Sequence, residues 1–287
     1  AFQPEIRSAA GLSLRRFCWK PEGAIPMKRS ASIMPCLSIS RGQVVKGLRF
    51  ADVIDVGDPV ALAVLYEDAG ADEIAVFDIT ATSEQRPPAF DLLRLVSSVV
   101  KIPVLAGGGI RSLTDVERVL GAGAGKISLS AAAFRDSDFV AEAVKHFGGE
   151  RIVAAIDAGI HEAMPSKREV LLEGGRLSTG VDAVEFAKQM AGLGVGSLLP
   201  TSLWADGTKH GYDLDLTRLI SDATNLATVA SGGAGKLIHF LEAVEEGHAS
   251  TLLAASVFHF GTFTVRQIKA YLFAQGVDVS RPPLAQM

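Results

Sequence analysis

The sequence has few cysteines and no long apolar run. Only two cysteines, Cys18 and Cys36, occur in 287 residues, which is too few for a disulfide framework. No uninterrupted apolar stretch approaches the roughly 20 residues that cross a bilayer. The chain also lacks a large excess of either charge, since it has 28 basic and 32 acidic side chains. We therefore expect no membrane and no nucleic acid as partner, and any phosphate binding must be local.

Apolar residues, in contrast, are plentiful. They make up 48 % of the chain, which is enough for a large buried core. The length fits two average domains, but it also fits one α/β barrel of roughly 250 residues. Together with the scarce cysteines, this composition favours a cytoplasmic enzyme whose thiols are reduced.

The first 26 residues differ from the rest of the chain. This segment has four basic and two acidic side chains, and it shows no helical or strand periodicity that continues into the rest of the chain. We interpret this segment as an upstream extension before a second start at Met27, and a transit peptide of similar composition is the alternative. We divide the chain into an N-terminal extension (1–31), a barrel (32–276) and a C-terminal tail (277–287).

From residue 32 onward, short apolar runs alternate with amphipathic helical stretches. The pattern predicts eight strands, at 33–38, 73–78, 102–106, 126–130, 152–157, 197–202, 226–230 and 251–255. Asp58 and Asp182 have the character of helix N-caps, and Gly70 and Gly194 end the two helices that follow them. Eight strand-helix units over this length predict a (β/α)₈ TIM barrel.

An internal repeat predicts that the barrel is built from two duplicated half-barrels. Four residue pairs recur at an offset of 124: Asp58 and Asp182, Gly70 and Gly194, Gly109 and Gly233, and Gly123 and Gly247. One extra residue after Gly247 makes Ser256 the counterpart of Ala131. Because barrel chemistry takes place at the carboxyl ends of the strands, we expect equivalent strand ends to face each other across one mouth.

Two glycine stretches follow predicted strands at equivalent positions. Gly107, Gly108 and Gly109 follow the third strand, and Gly232 and Gly233 follow the seventh. Backbone amides before a helix bind anions, so the two loops predict two phosphates on one elongated substrate. Relief of crowding at barrel corners is the alternative. The other glycine-rich stretches lack the dinucleotide-binding and P-loop patterns, so we expect no cofactor and no metal.

Polar residues at strand ends are the candidates for proton transfer. Asp157 closes the fifth strand, Asp78 closes the second, and Asp206 follows the sixth. A carboxylate among apolar strand residues is placed to have a raised pKa and to act as acid or base. Asp78 alternatively holds a loop or caps a helix. For Lys46, assigned to the loop after the first strand, we expect contact with a phosphate or capping of a closing lid; a solvated lysine is the alternative.

The motifs together resemble one enzyme family, the cyclase subunit of imidazole glycerol phosphate synthase. The resemblance extends from residue 32 to about 276. It rests on Val44-Val45-Lys46-Gly47, Gly57-Asp58-Pro59, Asp78-Ile79-Thr80-Ala81, Gly107-Gly108-Gly109-Ile110-Arg111, Ala155-Ile156-Asp157-Ala158, Asp206-Gly207-Thr208-Lys209, Ala230-Ser231-Gly232-Gly233 and Leu253-Ala254-Ala255-Ser256-Val257-Phe258-His259-Phe260.

The resemblance implies an activity and a set of site residues. Members of this family take ammonia from a partner glutaminase and convert a bis-phosphorylated ribulosyl aminoimidazole carboxamide nucleotide into imidazole glycerol phosphate and AICAR. The positions implied as catalytic are Asp157, Ser38 and Lys46. Those implied as substrate-binding are Asp78, Gly109, Ser130, Trp204, Asp206, Gly207, Thr208, Gly232, Gly233, Ala255 and Ser256.

This chain departs from the family pattern at catalytic positions. The family uses two aspartates, but the first position is Ser38, whose hydroxyl is no acid near pH 7. Losing a general acid or base costs about 10² to 10⁴ in rate. Trp204 replaces an acidic residue two positions before Asp206, where we expect its indole to crowd the mouth or stack on a ring. Ser130 and Ala131 replace Asn and Thr at the first phosphate site.

A second group of departures concerns ammonia. The charged ring that gates the family's barrel corresponds to Ser32, Glu73, Lys126 and Ser197, so one acid and one base remain. Gly125 replaces an aspartate that the family directs toward its glutaminase. A glutaminase partner is therefore doubtful. Three hypotheses follow: a diverged cyclase or lyase that needs no glutaminase, the ordinary histidine-pathway cyclase, and a non-catalytic ligand-binding barrel.

Overall fold

The computed structural model describes residues 29–48 and 51–280. The predicted N-terminal extension up to residue 28, including Cys18, lies outside the described residues, as do residues 281–287 of the predicted tail. None of the described helices is long and apolar enough to cross a membrane.

The described residues contain twelve strands. In chain order they are β1 (Ser32–Ser40), β2 (Gln43–Leu48), β3 (Ala51–Gly57), β4 (Ile74–Asp78), β5 (Val104–Gly107), β6 (Lys126–Leu129), β7 (Ile152–Ile160), β8 (Arg168–Leu172), β9 (Leu177–Asp182), β10 (Ser197–Ser202), β11 (Ala227–Ala230) and β12 (Thr251–Ala254).

Eight of these strands close into a parallel barrel. The order is β1, β4, β5, β6, β7, β10, β11 and β12, and β12 pairs with β1 to complete the circle. Each of the eight overlaps a strand predicted from the apolar runs. The (β/α)₈ prediction is confirmed, and all eight carboxyl ends meet at one mouth because the strands are parallel.

The helices surround the barrel. They are α1 (Pro59–Asp68), α2 (Phe90–Val99), α3 (Leu113–Gly121), α4 (Ala131–Arg135), α5 (Ser137–Phe147), α6 (Ala183–Gly192), α7 (Leu214–Thr224), α8 (Leu237–Glu245), α9 (Ser256–His259) and α10 (Val265–Ala274). The predicted caps are present, since Asp58 accepts the Ala61 amide and Asp182 accepts those of Val184 and Glu185. These acceptors satisfy amides that the first helical turn leaves unpaired.

Two antiparallel hairpins were not predicted. The first consists of β2 and β3 and follows β1; the second consists of β8 and β9 and follows β7. Arg41 and Gly42 join β1 to β2 with positive φ at both residues, which is a two-residue hairpin turn. Lys46 therefore lies in strand β2, and its assignment to a loop was wrong. The hairpins follow the equivalent strands of the two halves, while the duplication itself stays a prediction.

The core has two layers. Inside the barrel, one cluster includes Met34, Cys36, Ala75, Leu105, Val153, Leu199, Val229 and Leu253. A larger cluster fills the space between barrel and helices. Alternation along each strand sends every second side chain inward, so Ser38 and Asp157 continue the inward rows of Cys36 and Val153. The barrel is thus packed below its mouth and carries polar groups at the mouth.

A buried ion pair fastens α10 to the amino end of the barrel. The Lys269 ammonium, 2 % exposed, donates to Asp72 at 2.7 Å and to the Ser280 hydroxyl at 2.6 Å. The other Asp72 oxygen accepts the Ile33 amide at 2.7 Å. Residues 29–31 and 277–280 also pack here, with Ala31, Val277 and Val279 in the core, so the packed barrel extends beyond 32–276 at both ends.

We predict that Asp72→Asn lowers the free energy of unfolding by about 3 kcal/mol, because it leaves the Lys269 ammonium buried without its counter-ion. Urea denaturation measures this loss. Asp68→Asn is the matched control, since Asp68 is an exposed aspartate at the end of α1. Equal unfolding midpoints for the two variants would show that the pair contributes little.

Candidate active site at the barrel mouth

The mouth carries a row of oxygen-bearing side chains on three neighbouring strands. Asp157 on β7 is directly in register with Thr201 on β10, and Thr201 forms a bridge with Ser231 at the end of β11. Thr201 is 7 % and Ser231 9 % exposed, and neither hydroxyl has a hydrogen-bond partner among the described residues. Sequence reasoning did not single out Thr201, and it included Ser231 only as part of the second glycine loop, although the inward alternation from Leu199 and Val229 places both.

Asp157 is the carboxylate at the centre of this row. It is half-buried, and no described side chain donates a hydrogen bond to it. Burial raises its pKa from 3.8 to about 6, and the nearby Asp206 charge adds to this effect. A carboxyl group with this pKa exchanges protons readily near neutrality. Asp157 is therefore equipped to work as acid or as base.

Lys46 and Asp206 form an ion pair that crosses the mouth. The Lys46 ammonium lies 3.2 and 3.3 Å from the two Asp206 oxygens, and the side chains are 13 % and 12 % exposed. The pair joins the hairpin after β1 to the loop after β10. In this loop the Thr208 hydroxyl donates to the Ala205 carbonyl at 2.7 Å, and Gly207 has φ of 75°. Thr208 and Gly207 thus hold the loop that carries Asp206.

Ser38 is half-buried at the end of the inward row of β1, above Cys36. Burial raises the pKa of the Cys36 thiol to about 11, against smaller opposing effects of Lys46 and of a hydrogen bond with Ser38. The thiol stays protonated and does not act as a nucleophile. Ser38 therefore contributes a neutral hydroxyl where Asp157 contributes a carboxylate.

Asp78 lies at the mouth, but its carboxylate is already engaged. Arg86 donates to both of its oxygens, at 2.5 and 2.7 Å, and also to the Thr80 hydroxyl. The Ala81 amide donates to Asp78 as well. This geometry matches the alternative in which Asp78 holds its loop, and a substrate would have to displace Arg86. Arg86 was missed because nothing in the sequence pairs it with Asp78.

The glycines of both loops are required by close backbone packing. A Cβ on Gly108 would lie 2.1 Å from the Asp78 carbonyl oxygen, and one on Gly233 would lie 1.9 Å from the Gly211 carbonyl oxygen. Both residues also have positive φ. Relief of crowding, the alternative explanation, therefore accounts for these glycines, and their presence alone does not indicate a ligand.

The amides of the two loops differ in their availability. In the first half, the Gly109 amide donates to the Thr82 hydroxyl at 3.3 Å. In the second half, the amides of Gly233 and Ser256 have no acceptor among the described residues. The amides of Gly235 and Lys236 donate instead to the His239 ring. We call the Gly233 and Ser256 amides the second-half cradle.

A family model described as histidine biosynthesis protein matches residues 32–264. The chain belongs to this family. Its barrel is therefore a histidine-biosynthesis-type barrel, the framework on which the family's cyclases and isomerases are built.

Within this histidine biosynthesis barrel, Trp204 follows β10, in the segment that also carries Asp206. It is 63 % exposed, and its predicted crowding of the mouth or stacking on a ring stays a prediction. Ser130 and Ala131, at the start of α4, are half-buried on the first-half side, and Ala255 precedes Ser256 on the second-half side.

A second ion pair lies at the amino end of the same barrel. The Lys126 ammonium lies 2.8 and 3.0 Å from the Glu73 carboxylate oxygens. Ser32 and Ser197, at the first positions of β1 and β10, carry only hydroxyls, and Gly125 precedes Lys126 without a side chain. Of the four positions that correspond to the family's charged ring, only Glu73 and Lys126 carry a charge.

We predict that Asp157 makes the stability of the barrel depend on pH. Well below pH 4 the carboxyl is protonated in both the folded and the unfolded state, and well above pH 6 it is ionised in both. In between, the folded state binds more protons, so the free energy of unfolding falls as pH rises, by about 2 kcal/mol. Asp157→Asn removes this dependence. Urea unfolding at pH 4 and pH 7 measures the change relative to wild type.

The variant's stability relative to wild type should therefore be higher at pH 7 than at pH 4. Asp91→Asn, at a position 95 % exposed on α2, is the control that should show no such difference. A difference between Asp157→Asn and wild type that is the same at both pH values contradicts the raised pKa.

Proposed function

We propose that this protein is a cyclase or lyase that acts on a phosphorylated ribulosyl or aminoimidazole-nucleotide-type substrate, with Asp157 as its proton-transfer group. The observation that carries the proposal is the position of the Asp157 carboxyl, beside Thr201 at the mouth of a histidine biosynthesis barrel, where burial raises its pKa to about 6. Both protonation states of this carboxyl are populated near neutrality, as ring closure and bond cleavage require.

In this proposal, Asp157 and the polar side chains around it have different roles. As a base, the Asp157 carboxylate removes a proton from the substrate, and as an acid it returns that proton to the leaving group. Lys46 supplies a fixed positive charge beside the site, and Asp206 holds Lys46 in place. Thr201 and Ser231 offer hydroxyls in register with Asp157. Ser38 adds a neutral hydrogen bond and no proton transfer.

Phosphate recognition is assigned to the second-half cradle. The two amides of Gly233 and Ser256 are available to an anion, whereas the Gly109 amide of the first half is bonded to Thr82. Ser130 and Ala131 stand at the first-half position with short side chains. We therefore assign one firmly held phosphate to the substrate and a second, weaker contact on the first-half side.

Independence from a glutaminase is the second part of the proposal. A specific interface needs complementary polar groups. At the amino end of the barrel Ser32, Ser197 and Gly125 offer no charge to a partner, and the Lys126 ammonium is bonded to Glu73. Any nitrogen that enters the reaction would then come from free ammonia.

The ordinary imidazole glycerol phosphate synthase cyclase is the second candidate. The retained Glu73–Lys126 pair and the family match over residues 32–264 favour it. The absence of a carboxylate at Ser38 weighs against it. A non-catalytic barrel is the weakest of the three, because a binding module needs no carboxyl with a pKa shifted toward neutrality.

Turnover of the purified protein tests the proposal. With the family substrate and ammonium salts, we predict that Asp157→Asn lowers product formation at least about 100-fold, as expected for loss of a general acid or base. Adding a family glutaminase with glutamine should not raise the wild-type rate. Asp91→Asn is the matched surface control. An Asp157→Asn variant with the wild-type rate removes Asp157 from the chemistry, and glutaminase stimulation with stable complex formation favours the ordinary cyclase.

A further inference from the structure

The pairing between β1 and β12 stops at the mouth. Four residue pairs are in register, ending with Pro35 and Ala254. The next pair, Cys36 and Ala255, is not joined, because the chain turns at Ala255 into α9. If the ladder continued by one pair, the Cys36 carbonyl would accept an amide from the 255–256 segment.

A side chain takes the place of that amide. The Nε2 atom of His259, in the last position of α9, lies 3.1 Å from the Cys36 carbonyl oxygen, 223 residues away in sequence. The other ring nitrogen, Nδ1, lies 2.6 Å from the Tyr66 hydroxyl of α1. The ring therefore joins three elements that the chain otherwise connects only through long segments.

The partners fix the state of the ring. A carbonyl only accepts, so Nε2 carries the proton and donates it to Cys36, and Nδ1 accepts from the Tyr66 hydroxyl. Burial lowers the pKa of His259 to about 4 and raises that of Tyr66 well above its ordinary value. Both groups stay neutral near pH 7, so His259 acts as a fixed connection and transfers no proton.

This connection has a consequence for Ser256. The amide of Ser256 has no acceptor among the described residues, while the carbonyl that a continued ladder would offer is bonded to His259. Val257 and Phe258 of α9 are buried and hold this helix against the barrel. Helix α9 is only four residues long, which is too short to be stable without such contacts.

We propose that His259 is a positioning residue whose ring replaces a backbone amide at the end of the β1–β12 ladder, so that the Ser256 amide is left for an anion. The anion is a phosphate group, and this part rests on the proposed function. The same ring holds β1 at Cys36, two residues before Ser38.

Amide hydrogen exchange and phosphate binding test the proposal separately. In His259→Leu, we expect exchange of peptides covering 36–40 and 255–260 to rise about tenfold, the effect of losing one buried hydrogen bond. Exchange in β5 and β6 should stay at the wild-type rate. The dissociation constant of inorganic phosphate, followed by ³¹P NMR, should rise about tenfold. Tyr66→Phe, which keeps the Nε2 donor, should have a smaller effect on both.

His259→Gln places an amide nitrogen where Nε2 stands, so we expect it to restore most of both readouts. His146→Leu is the control, because His146 bonds only to its own helix α5. Wild-type exchange in His259→Leu, or a uniform rise throughout the barrel, overturns the positioning role. Faster local exchange with unchanged phosphate affinity overturns the link to the cradle. A wild-type protein that binds no phosphate overturns both the cradle and this link, while exchange still decides the structural role of the ring.

Discussion

Closure of the sheet is the constraint on which the rest of the structure depends. Because β12 pairs with β1 and β10 pairs with β7, eight strands end at one mouth, and the two hairpins that follow β1 and β7 lie outside the circle. Closure brings residues that are distant in sequence into one row, as with Asp157, Thr201 and Ser231. It also buries the Asp157 carboxyl among the strands of the mouth, and this burial is the main cause of its raised pKa.

The two halves of the mouth differ in chemistry although their strands are equivalent. The β7 side carries a carboxylate, and the β1 side carries the Ser38 hydroxyl. The second-half cradle has two available amides, while the Gly109 amide of the first half is bonded to Thr82. The Lys46–Asp206 pair spans the two sides, and its charges lie close enough to influence both Cys36 and Asp157. In the proposed function, proton transfer and phosphate binding are therefore both assigned to the second half.

The barrel could be predicted because the sequence features that indicate its strands and helices lie close together in the chain. Apolar runs locate the eight strands, and Asp58 and Asp182 cap their helices through bonds to residues only two or three positions away. The hairpins were missed because β2 and β3 contain charged and glycine residues, although Gly42 after Arg41 was a usable turn signal. Engagement of Asp78 by Arg86 depends on how a loop folds back, and the bond from His259 to Cys36 joins opposite ends of the chain. Neither leaves a pattern in sequence.

AICAR formation by Ser38→Asp, with ammonium salts and the family substrate, tests the proposed divergence most directly. Because that divergence would involve several features, including the occupied Gly109 amide and the alanine at position 131, restoring one carboxylate should change the rate by less than about tenfold. The unsubstituted protein and Ser38→Asn, which matches the new side chain in size without its charge, are the references. A gain of about 100-fold or more in Ser38→Asp, the amount that a general acid contributes, would contradict the account and identify the protein as an ordinary cyclase lacking one acid.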